Sequence, residues 1–366
     1  MNPSFSSYLI NDVFDDPGVY VEIRWSKRAL LFDLGHNDGL GPTRLLRAGE
    51  VFVSHTHMDH FIGFDAVLRV ALGRGKTLKL FGPPGLIDNV QGKLRGYTWN
   101  LVEGYPLTID VREFDEYEVR QAVFRASDGF QPSKRDTSPA PRVDGPLFTV
   151  LKDPMFTVKA VALNHRIPSF AYSLEEQVHI NVNKQKLHEA GLRIGAWLKD
   201  VKQHIWSGKP DDFRFSVALY DEHRREERTL VLGEVKERFL TISRGQKIAY
   251  VVDARYDEEN EAKIVTLARG ADILYCESPY LDCDAGKAYG RYHLTARQAG
   301  HMAHRAQVRH LVVFHFSPRY TGQGEALERE AMEAFHGSTA RRVMSAKFAD
   351  GRESVSAQVS QVKEAP

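Results

Sequence analysis

Four residues with metal-binding side chains stand close together in the segment V-F-V-S-H-T-H-M-D-H-F, at His55, His57, Asp59 and His60. Imidazole and carboxylate groups bind Zn, Mn and Fe ions, and side chains two residues apart in an extended segment point the same way. His55 and His57 can therefore hold one cation together, while Asp59 and His60, where a helix is predicted to begin, can reach a second one. The pattern predicts a two-metal site of the kind that activates water for hydrolysis. A polar turn with solvated histidines is the alternative, and for a single histidine it would be the better interpretation.

Three more candidate ligands stand at the ends of predicted strands. They are His165, Asp253 and His315, and each alone fits a cap or turn residue equally well. Two ions with five or six ligands each need more side chains than the first cluster offers. We therefore expect these three positions to supply the remaining ligands. The full set then contains five histidines and two aspartates, with no thiolate.

Strands and helices alternate along most of the chain. β-branched and aromatic runs bounded by Gly, Pro, Asp or Asn predict strands, and apolar residues at helical spacing predict helices. The predicted strands cover 19–24, 29–32, 51–53, 77–81, 156–163, 247–252, 272–275 and 310–314, and the predicted helices cover 61–72, 258–268, 295–306 and 324–335. This mixture predicts a layered α/β fold in which strand ends gather polar groups at one edge of a sheet.

The composition is that of an ordinary globular chain. Of 366 residues, 42% are hydrophobic and 27% are charged, and the formal net charge is +1. This balance argues against a globally basic nucleic-acid-binding protein, so a polyanion would have to bind a local patch. The two cysteines, Cys276 and Cys283, are too few for a disulfide framework. With no secretory leader pattern and no apolar run of membrane-spanning length, we expect a cytoplasmic protein that makes no membrane contact.

One hydrolase domain is expected over 1–354, followed by a polar tail over 355–366. Two segments, near 127–146 and 178–247, interrupt the alternation and are interpreted as insertions. The first has four prolines and few large apolar residues, which predicts a long surface loop. The second combines an amphipathic pattern rich in Lys and His with a charged hairpin predicted over 220–247.

The sequence resembles the metallo-β-lactamase superfamily of binuclear hydrolases over roughly 30–354, and within it the ribonuclease Z branch. The motifs that carry the resemblance are L-F-D-L-G (31–35), S-H-T-H-M-D-H (54–60), P-S-F-A-Y-S-L-E-E (168–176), V-V-D-A (251–254), A-D-I-L-Y-C-E-S (271–278), Y-H-L-T-A (292–296) and H-F-S-P-R-Y (315–320). The resemblance implies an αββα sandwich with a binuclear metal site at the sheet edge, and a homodimer.

The resemblance also implies how the ligands are shared between two divalent metal ions. His55, His57 and His165 would bind one ion, Asp59, His60 and His315 the other, and Asp253 would bridge them. Zn is the expected metal, with Mn or Fe as alternatives that availability decides. A water shared by the two ions would lose a proton near neutral pH and act as the nucleophile, and Asp59 would accept a proton from it.

Cleavage also needs an acid that protonates the leaving oxygen. His293 in Y-H-L-T-A matches the additional histidine of the branch, and Glu277 matches the acidic residue that orients this imidazole. In the alternative interpretation His293 simply precedes a helix and Glu277 is a solvated carboxylate.

Segments next to the ligands depart from the ribonuclease Z pattern. L-F-D-L-G continues as H-N-D-G where the family has Glu-Gly-Thr, V-D-A replaces G-D-T, and C-E-S-P replaces His-Glu-Ala-Thr. The metal ligands are thus kept, while the segments expected to read the substrate differ. Four basic residues within 191–210 fit a polyanion contact or a solvated helix face equally well: Arg193, Lys199, Lys202 and Lys209.

The sequence therefore predicts a metal-dependent phosphodiesterase like ribonuclease Z, with endonucleolytic processing of the 3′ end of precursor tRNA as the candidate reaction. One alternative is a hydrolase of the same fold for a small ester such as a cyclic nucleotide. Another is a non-catalytic nucleic-acid-binding protein with a relic metal site, although a binder needs neither a complete ligand set nor an acid. The fold alone does not separate large substrates from small ones.

Overall fold

The computed structural model describes residues 3–24, 26–141, 145–221 and 224–337. The polar tail expected over 355–366 and the end of the predicted hydrolase domain lie outside these ranges. Inside them, no helix combines the length and the apolarity needed to cross a bilayer.

Eighteen strands and eleven α-helices are found in the described ranges. The strands are β1 (Phe5–Leu9), β2 (Val19–Ile23), β3 (Ala29–Phe32), β4 (Ala48–Phe52), β5 (Thr77–Gly82), β6 (Thr108–Phe114), β7 (Glu118–Arg125), β8 (Asp136–Pro139), β9 (Phe148–Lys152), β10 (Phe156–His165), β11 (Ile167–Glu176), β12 (Val178–Val182), β13 (Arg214–Asp221), β14 (Arg224–Val231), β15 (Leu240–Arg244), β16 (Lys247–Val251), β17 (Ile273–Glu277) and β18 (His310–Phe314). The helices are α1 (Gly41–Arg47), α2 (Met58–Phe61), α3 (Phe64–Ala71), α4 (Leu86–Arg95), α5 (Lys184–Glu189), α6 (Trp197–Trp206), α7 (Leu232–Phe239), α8 (Glu258–Ala268), α9 (Ala285–Arg291), α10 (Ala296–Arg305) and α11 (Gly324–His336).

Two large sheets carry the fold. The first contains β1 to β8 in chain order, and its neighbours β3, β4, β5 and β6 run parallel. The second has the order β18-β17-β16-β11-β10-β9, in which β16, β17 and β18 are parallel and β10 runs in the same direction because both β10 and β16 pair antiparallel with β11. The carboxyl ends of β10, β16, β17 and β18 therefore meet at one edge of the second sheet.

The sheets pack face to face with helices on both outer surfaces. Apolar residues of α1, α3 and α4 pack on the outer face of the first sheet, and those of α8, α10 and α11 belong to the core formed around the second sheet. Strand β3 is buried along its whole length, as expected for a strand covered on both faces. These layers confirm the predicted α/β class and the αββα sandwich.

A row of buried tyrosines ties the second sheet to the first. Strand register places Tyr172, Tyr250 and Tyr275 side by side on β11, β16 and β17. The Tyr172 hydroxyl donates to the Val53 carbonyl at 2.7 Å. The Tyr250 hydroxyl donates to Asp33 at 2.8 Å, and that of Tyr275 bonds the hydroxyl of a β1 serine at 3.0 Å. Buried hydroxyls need such partners, so these bonds favour one alignment of the two sheets.

The helix predicted over 61–72 begins three residues later in the structure, as α3, and a separate short helix, α2, precedes it. α2 ends at Phe61 and α3 begins at Phe64, with Gly63 between them. The Gly63 amide donates to the Leu34 carbonyl at 2.8 Å, and the Leu34 amide donates to the His60 carbonyl at 2.8 Å. We call these two hydrogen bonds to Leu34 the clamp. They separate α2 from α3 and hold the turn that carries the histidine cluster.

The two predicted insertions also differ in detail from the expectation. The segment near 127–146 contains β8, an edge strand that pairs with β7 and ends at Pro139, so the loop prediction is wrong there. Proline is tolerated at such an edge because the outer side of the strand needs no N–H donor. A hairpin is present, but it begins at Arg214 and ends at Val231, as β13 paired with β14, so the predicted bounds of 220–247 are wrong. Residues 232–244 form α7 and β15 instead. Residues 178–240 bury an apolar cluster of their own around Trp197 and Val201.

We predict that Gly63→Ala lowers the free energy of unfolding by about 1–3 kcal/mol, the usual effect of overpacking. The reason is that a Cβ at Gly63 would overlap the carbonyl oxygen of Gly35 and press on the Asn37 side chain. Urea unfolding followed by circular dichroism measures the difference.

The matched control is Gly92→Ala in α4, where an added Cβ meets nothing within 4 Å. This change should raise stability by up to about 1 kcal/mol, since alanine is the better helix former. A Gly63→Ala protein as stable as the unsubstituted one would contradict the clamp.

Candidate metal centre

Turns that follow strands of both sheets bring the predicted ligands together. His55 follows β4, His57 caps the start of α2, and Asp59 and His60 lie in that helix. From the second sheet come His165, Asp253 and His315, at the ends of β10, β16 and β18. All seven predicted ligands therefore converge on the space where one edge of the first sheet meets one edge of the second.

The first group of ligands is His55, His57, His165 and Asp253. One nitrogen or oxygen from each lies within 4.8 Å of those of the others. The Nε2 atoms of His165 and His55 lie 3.1 Å and 3.5 Å from Asp253 Oδ2. His57 is the exposed member of this group, and the other three are buried.

The second group is Asp59, His60 and His315. Asp59 Oδ2 lies 3.5 Å from His60 Nε2 and 3.3 Å from His315 Nε2. Asp253 also contacts this group, with Oδ2 at 3.5 Å from His60 Nε2 and Oδ1 at 3.1 Å from His315 Nδ1. Its carboxylate therefore stands between the two groups, as expected of a bridging ligand.

Four buried polar atoms in this space lack a hydrogen-bond partner among the described residues. They are His55 Nε2, His60 Nε2, Asp253 Oδ1 and His315 Nδ1. Leaving a buried polar group unpaired costs about 1–3 kcal/mol, so a cluster of such atoms needs an explanation. Two cations would use the free lone pairs of imidazoles and carboxylates, and this donor set fits a binuclear metal site.

Neighbouring groups fix which ring nitrogen each histidine turns toward the centre. Asp33 is buried after β3 and accepts from His60 Nδ1 at 2.8 Å, and it also binds the Ser54 hydroxyl and the Tyr250 hydroxyl. The Tyr292 carbonyl accepts from His165 Nδ1 at 2.8 Å. Metal-binding histidines commonly donate their other nitrogen in this way, which orients the ring.

Sequence reasoning did not single out Asp33 or the Tyr292 carbonyl as parts of the site. The position of Asp33 directly after a strictly apolar strand was an available signal. No side-chain pattern marks a backbone carbonyl, so Tyr292 could not have been found from the sequence.

The electrostatics of the centre favour positive charge. Burial lowers the pKa of His55 to about 2, so this imidazole stays neutral. Burial opposes protonation of His60 as well, but the Asp253 and Asp33 carboxylates outweigh it and raise the pKa of His60 well above its ordinary value. Burial would raise the pKa of Asp253, yet His60 and His315 hold it well below its usual range. The neutral His55 beside the ionised Asp253 carboxylate is in the state that binds a cation, whereas His60 would have to release its proton to bind one.

Backbone conformation at the centre is unusual. Seven non-glycine residues in the described chain have positive φ, and five of them surround the site: Asp33, Arg166, Asp253, Tyr292 and His315, with φ between 45° and 63°. Such conformations cost of order 1–3 kcal/mol each and persist where the surroundings enforce them. These positive φ values therefore set the direction of the turns that follow the strands, and with it the direction of the side chains around the centre.

His293 and Glu277 lie beside the ligand groups and contact each other. His293 Nδ1 donates to Glu277 Oε2 at 2.8 Å, and the amides of Ala254 and Leu294 donate to Oε1 at 2.9 Å and 3.2 Å. Glu277 is fully buried at the end of β17, which contradicts the alternative of a solvated carboxylate. Both of its oxygens are satisfied by N–H donors, so it differs from the unpaired atoms of the ligand set.

This pair shifts both pKa values in the sense of an ion pair. Burial would raise the pKa of Glu277, but His293 holds it below its ordinary value. Burial would lower the pKa of His293, and Glu277 outweighs this and raises it. The arrangement can therefore hold a proton on an imidazole at the rim of the centre.

We predict about two transition-metal ions per chain in the purified protein, as the two ligand groups require. His60→Ala should remove one ion preferentially, because its ring belongs to one group. Asp253→Ala should lower the content of both sites, since its carboxylate contacts histidines of both. Elemental analysis of the dialysed proteins gives the stoichiometry.

His301→Ala is the matched control, because this histidine is exposed on α10, outside the ligand groups. It should leave the metal content unchanged. A protein that binds no metal after reconstitution would refute the binuclear site.

Comparisons with known proteins agree with this geometry. No family model matches the chain. The chain is 31% identical to ribonuclease Z of Deinococcus radiodurans over 309 residues, which cover 84% of this chain and 86% of that protein. It is 28% identical to ribonuclease Z of Enterococcus faecalis over 313 residues, covering 83% and 82% of the two chains.

Solved structures share the fold at lower identity. The short form of human tRNase Z aligns with a TM-score of 0.50 and 19% identity, over 86% of this chain and 93% of that one. YhfI of Bacillus subtilis, a metallo-β-lactamase fold protein, aligns with a TM-score of 0.50 and 14% identity, over 91% and 94%. These likenesses support the metallo-β-lactamase fold, and the two relatives with 31% and 28% identity over most of both chains are both ribonucleases Z. The chain therefore belongs to the ribonuclease Z family of the metallo-β-lactamase superfamily.

Proposed function

We propose that this ribonuclease Z-like phosphodiesterase removes the 3′ trailer of precursor tRNA, with Asp59 and His293 as its proton-transferring groups. The observation that carries the proposal is the contact of 2.8 Å between His293 Nδ1 and Glu277, made at the rim of the ligand set. A protein that only binds nucleic acid has no use for an oriented imidazole beside a metal centre. The relatives named ribonuclease Z and the neighbour named tRNase Z support RNA, and tRNA in particular, as the substrate.

The ligands are assigned to two ions as the family resemblance implies. His55, His57 and His165 would hold one, Asp59, His60 and His315 would hold the other, and Asp253, whose carboxylate contacts histidines of both groups, would serve both. Zn suits this set of imidazoles and carboxylates, and Mn or Fe would also be accepted. Bound divalent cations supply Lewis acidity, which acidifies a water nucleophile and neutralises charge that builds on the phosphodiester.

Asp59 is the ligand best placed to meet the nucleophile. Its side chain is 42% exposed, whereas His60 beside it is fully buried. The neighbouring His315 and His60 imidazoles outweigh burial and hold the pKa of Asp59 below its ordinary value. An ionised, accessible carboxylate can accept a proton from water as that water attacks phosphorus.

His293 is assigned the opposite transfer, from its ring to the leaving oxygen. Since Nδ1 donates to the Glu277 carboxylate, Nε2 is the nitrogen left to face a substrate. The His293 side chain is 20% exposed, enough for contact with a ligand at the rim. Glu277 acts through His293, as a positioning residue.

The partner and location of the reaction follow from the same proposal. Precursor tRNA is the macromolecular substrate, and the chain acts as a homodimer in the cytoplasm. Both cysteines are free thiols, in keeping with a reducing compartment. Of the basic residues in the second insertion, Arg193, Lys199 and Lys209 are exposed, which supports a polyanion contact there. Lys202 is half-buried, and burial lowers its pKa.

We predict that His293→Ala keeps the metals and the fold but loses roughly 10²–10⁴-fold in rate on an RNA substrate, the usual contribution of a general acid. The loss should be much smaller for bis(p-nitrophenyl) phosphate, because p-nitrophenolate leaves without protonation. Single-turnover rates for both substrates, on protein of known metal content, measure the difference. Glu277→Gln should give a milder loss of the same pattern.

His310→Ala serves as the control, since this histidine lies at the opposite end of β18 from the centre. It should leave both rates unaltered. Equal losses on the two substrates for His293→Ala would show that His293 is structural.

The substrate itself is tested by parallel hydrolysis of a precursor tRNA, 3′,5′-cyclic AMP and bis(p-nitrophenyl) phosphate. We expect cleavage at the 3′ end of the tRNA to have the highest kcat/KM, with the activated diester as a slow substrate. Preference for the cyclic nucleotide would replace the tRNA proposal with a small-ester hydrolase. Absence of turnover on all three, with both metals bound, would favour the relic site.

A further inference from the structure

Two arginines and two tyrosines form a cluster beside the metal centre that the proposed chemistry does not use. Arg166 directly follows the ligand His165, Arg255 lies two residues after the ligand Asp253, and Tyr292 precedes His293. Tyr289 stands one turn earlier, in α9. We call Arg166, Arg255, Tyr289 and Tyr292 the arginine–tyrosine cluster.

The guanidinium groups of the cluster stack on the tyrosine rings. The Cζ atom of Arg166 lies 4.9 Å from the ring centre of Tyr292. The Cζ atom of Arg255 lies 5.1 Å from the ring centre of Tyr292 and 5.2 Å from that of Tyr289. Arginine stacked on an aromatic face keeps its N–H groups directed outward, where they can bind an anion.

Contacts with the metal centre fix the position of the cluster. The Tyr292 carbonyl holds His165 Nδ1 at 2.8 Å, and the Tyr292 ring meets the His165 ring edge-on with centres 6.4 Å apart. Both Tyr292 and Arg166 have positive φ, 62° and 63°. The strained backbone turns the two side chains toward each other and keeps the cluster next to His293.

The cluster also retains binding capacity. Arg255 uses Nε to contact Asp257 at 3.1 Å, whereas Arg166 has no ion pair within the described part of the chain. Tyr289 is 52% exposed, so part of its ring is accessible to a ligand. A guanidinium pair next to an accessible aromatic ring is the combination that binds a phosphate together with a base.

Acidic residues lie near Asp59, away from the cluster in the sequence. Gly35 is wedged between the Asp16 side chain and the backbone of Asp59, and Asp16 pairs there with the exposed His36 at 2.6 Å. Asp12 and Asp15 lie in the same loop. The guanidinium groups of the cluster would attract a phosphate chain, whereas carboxylates such as Asp12 and Asp15 would repel one.

We infer that the arginine–tyrosine cluster is a nucleotide subsite, in which Tyr289 stacks on a nucleobase while Arg166 and Arg255 contact its phosphate. The occupant is the nucleotide that carries the leaving oxygen, because the cluster adjoins His293; this part of the inference rests on the proposed function. Binding of a base and its phosphate does not depend on cleavage and can be measured separately.

The test uses 2-aminopurine riboside 5′-monophosphate, a fluorescent mononucleotide that contains no phosphodiester to cleave, with the metal-loaded full chain. Stacking on tyrosine should quench its fluorescence. Tyr289→Leu should abolish the quenching and weaken binding about 5- to 100-fold, the usual effect of removing an aromatic ring beneath a base. Tyr289→Phe should bind like the unsubstituted protein.

Arg166→Gln should weaken binding of the mononucleotide about tenfold, in the range of a charge-assisted contact, and leave binding of 2-aminopurine riboside unchanged because the nucleoside has no phosphate. Tyr97→Leu is the matched control, since Tyr97 is 49% exposed on another surface. It should not alter the titration. Equal affinity of Tyr289→Leu and Tyr97→Leu, with native circular dichroism, would overturn the subsite.

Hydrolysis of methyl p-nitrophenyl phosphate by the unsubstituted protein is measured in parallel and tests the phosphodiesterase reaction alone. Quenching that depends on Tyr289 without any hydrolysis would support the subsite and contradict the proposed reaction. Hydrolysis with no dependence of quenching on Tyr289 would support the reaction and overturn the subsite.

Discussion

A single buried carboxylate, Asp253, sets the main constraint on this structure. It is 2% exposed, and ionised groups at such depth are stable only when opposite charge or metal surrounds them. Its two oxygens lie within 3.5 Å of imidazole nitrogens from four histidines, which belong to turns of both sheets. The parallel strands, the row of tyrosines and the left-handed turn at Asp253, with φ of 45°, are therefore arranged so that both sheet edges reach one point.

Much of this centre could be predicted from the sequence because its ligands follow strands with strong local patterns. The runs 311–314 and 248–252 are apolar and partly β-branched, so the polar residue after each one was visible. The αββα layers were predicted from the family resemblance, and the alternation of strands and helices agrees with them. Strands β6 and β7 were not predicted, since their many charged residues obscure the alternation that burial then reveals. The break at Gly63 and the contact between Asp33 and His60 depend on chain segments that meet only in the folded protein.

The contacts made in the three segments that depart from the ribonuclease Z pattern show which of their atoms the site uses. The V-D-A segment replaces G-D-T, yet the group used by Glu277 is the amide of Ala254, which almost any residue supplies. In C-E-S-P the glutamate is kept, and the Ser278 hydroxyl only bonds the Glu277 carbonyl at 2.7 Å. In L-F-D-L-G-H the aspartate that orients His60 is kept, and the new His36 faces solvent. Two of the replacements thus lie where a backbone atom makes the contact, and the carboxylates that hold His60 and His293 are kept.

Because the ligands are divided between the two sheets, metal binding is linked to the stability of the folded protein. His55, His57, Asp59 and His60 come from one half of the sandwich, and His165, Asp253 and His315 from the other. Ions held between them would act as a non-covalent cross-link of the two halves. A ligand that binds only the folded chain adds about 2.7 kcal/mol of stability at one hundred times its Kd. Proteases that attack transiently opened chains respond to that free energy. Metal scarcity would therefore reduce the amount of this protein through degradation, as well as the activity of each molecule.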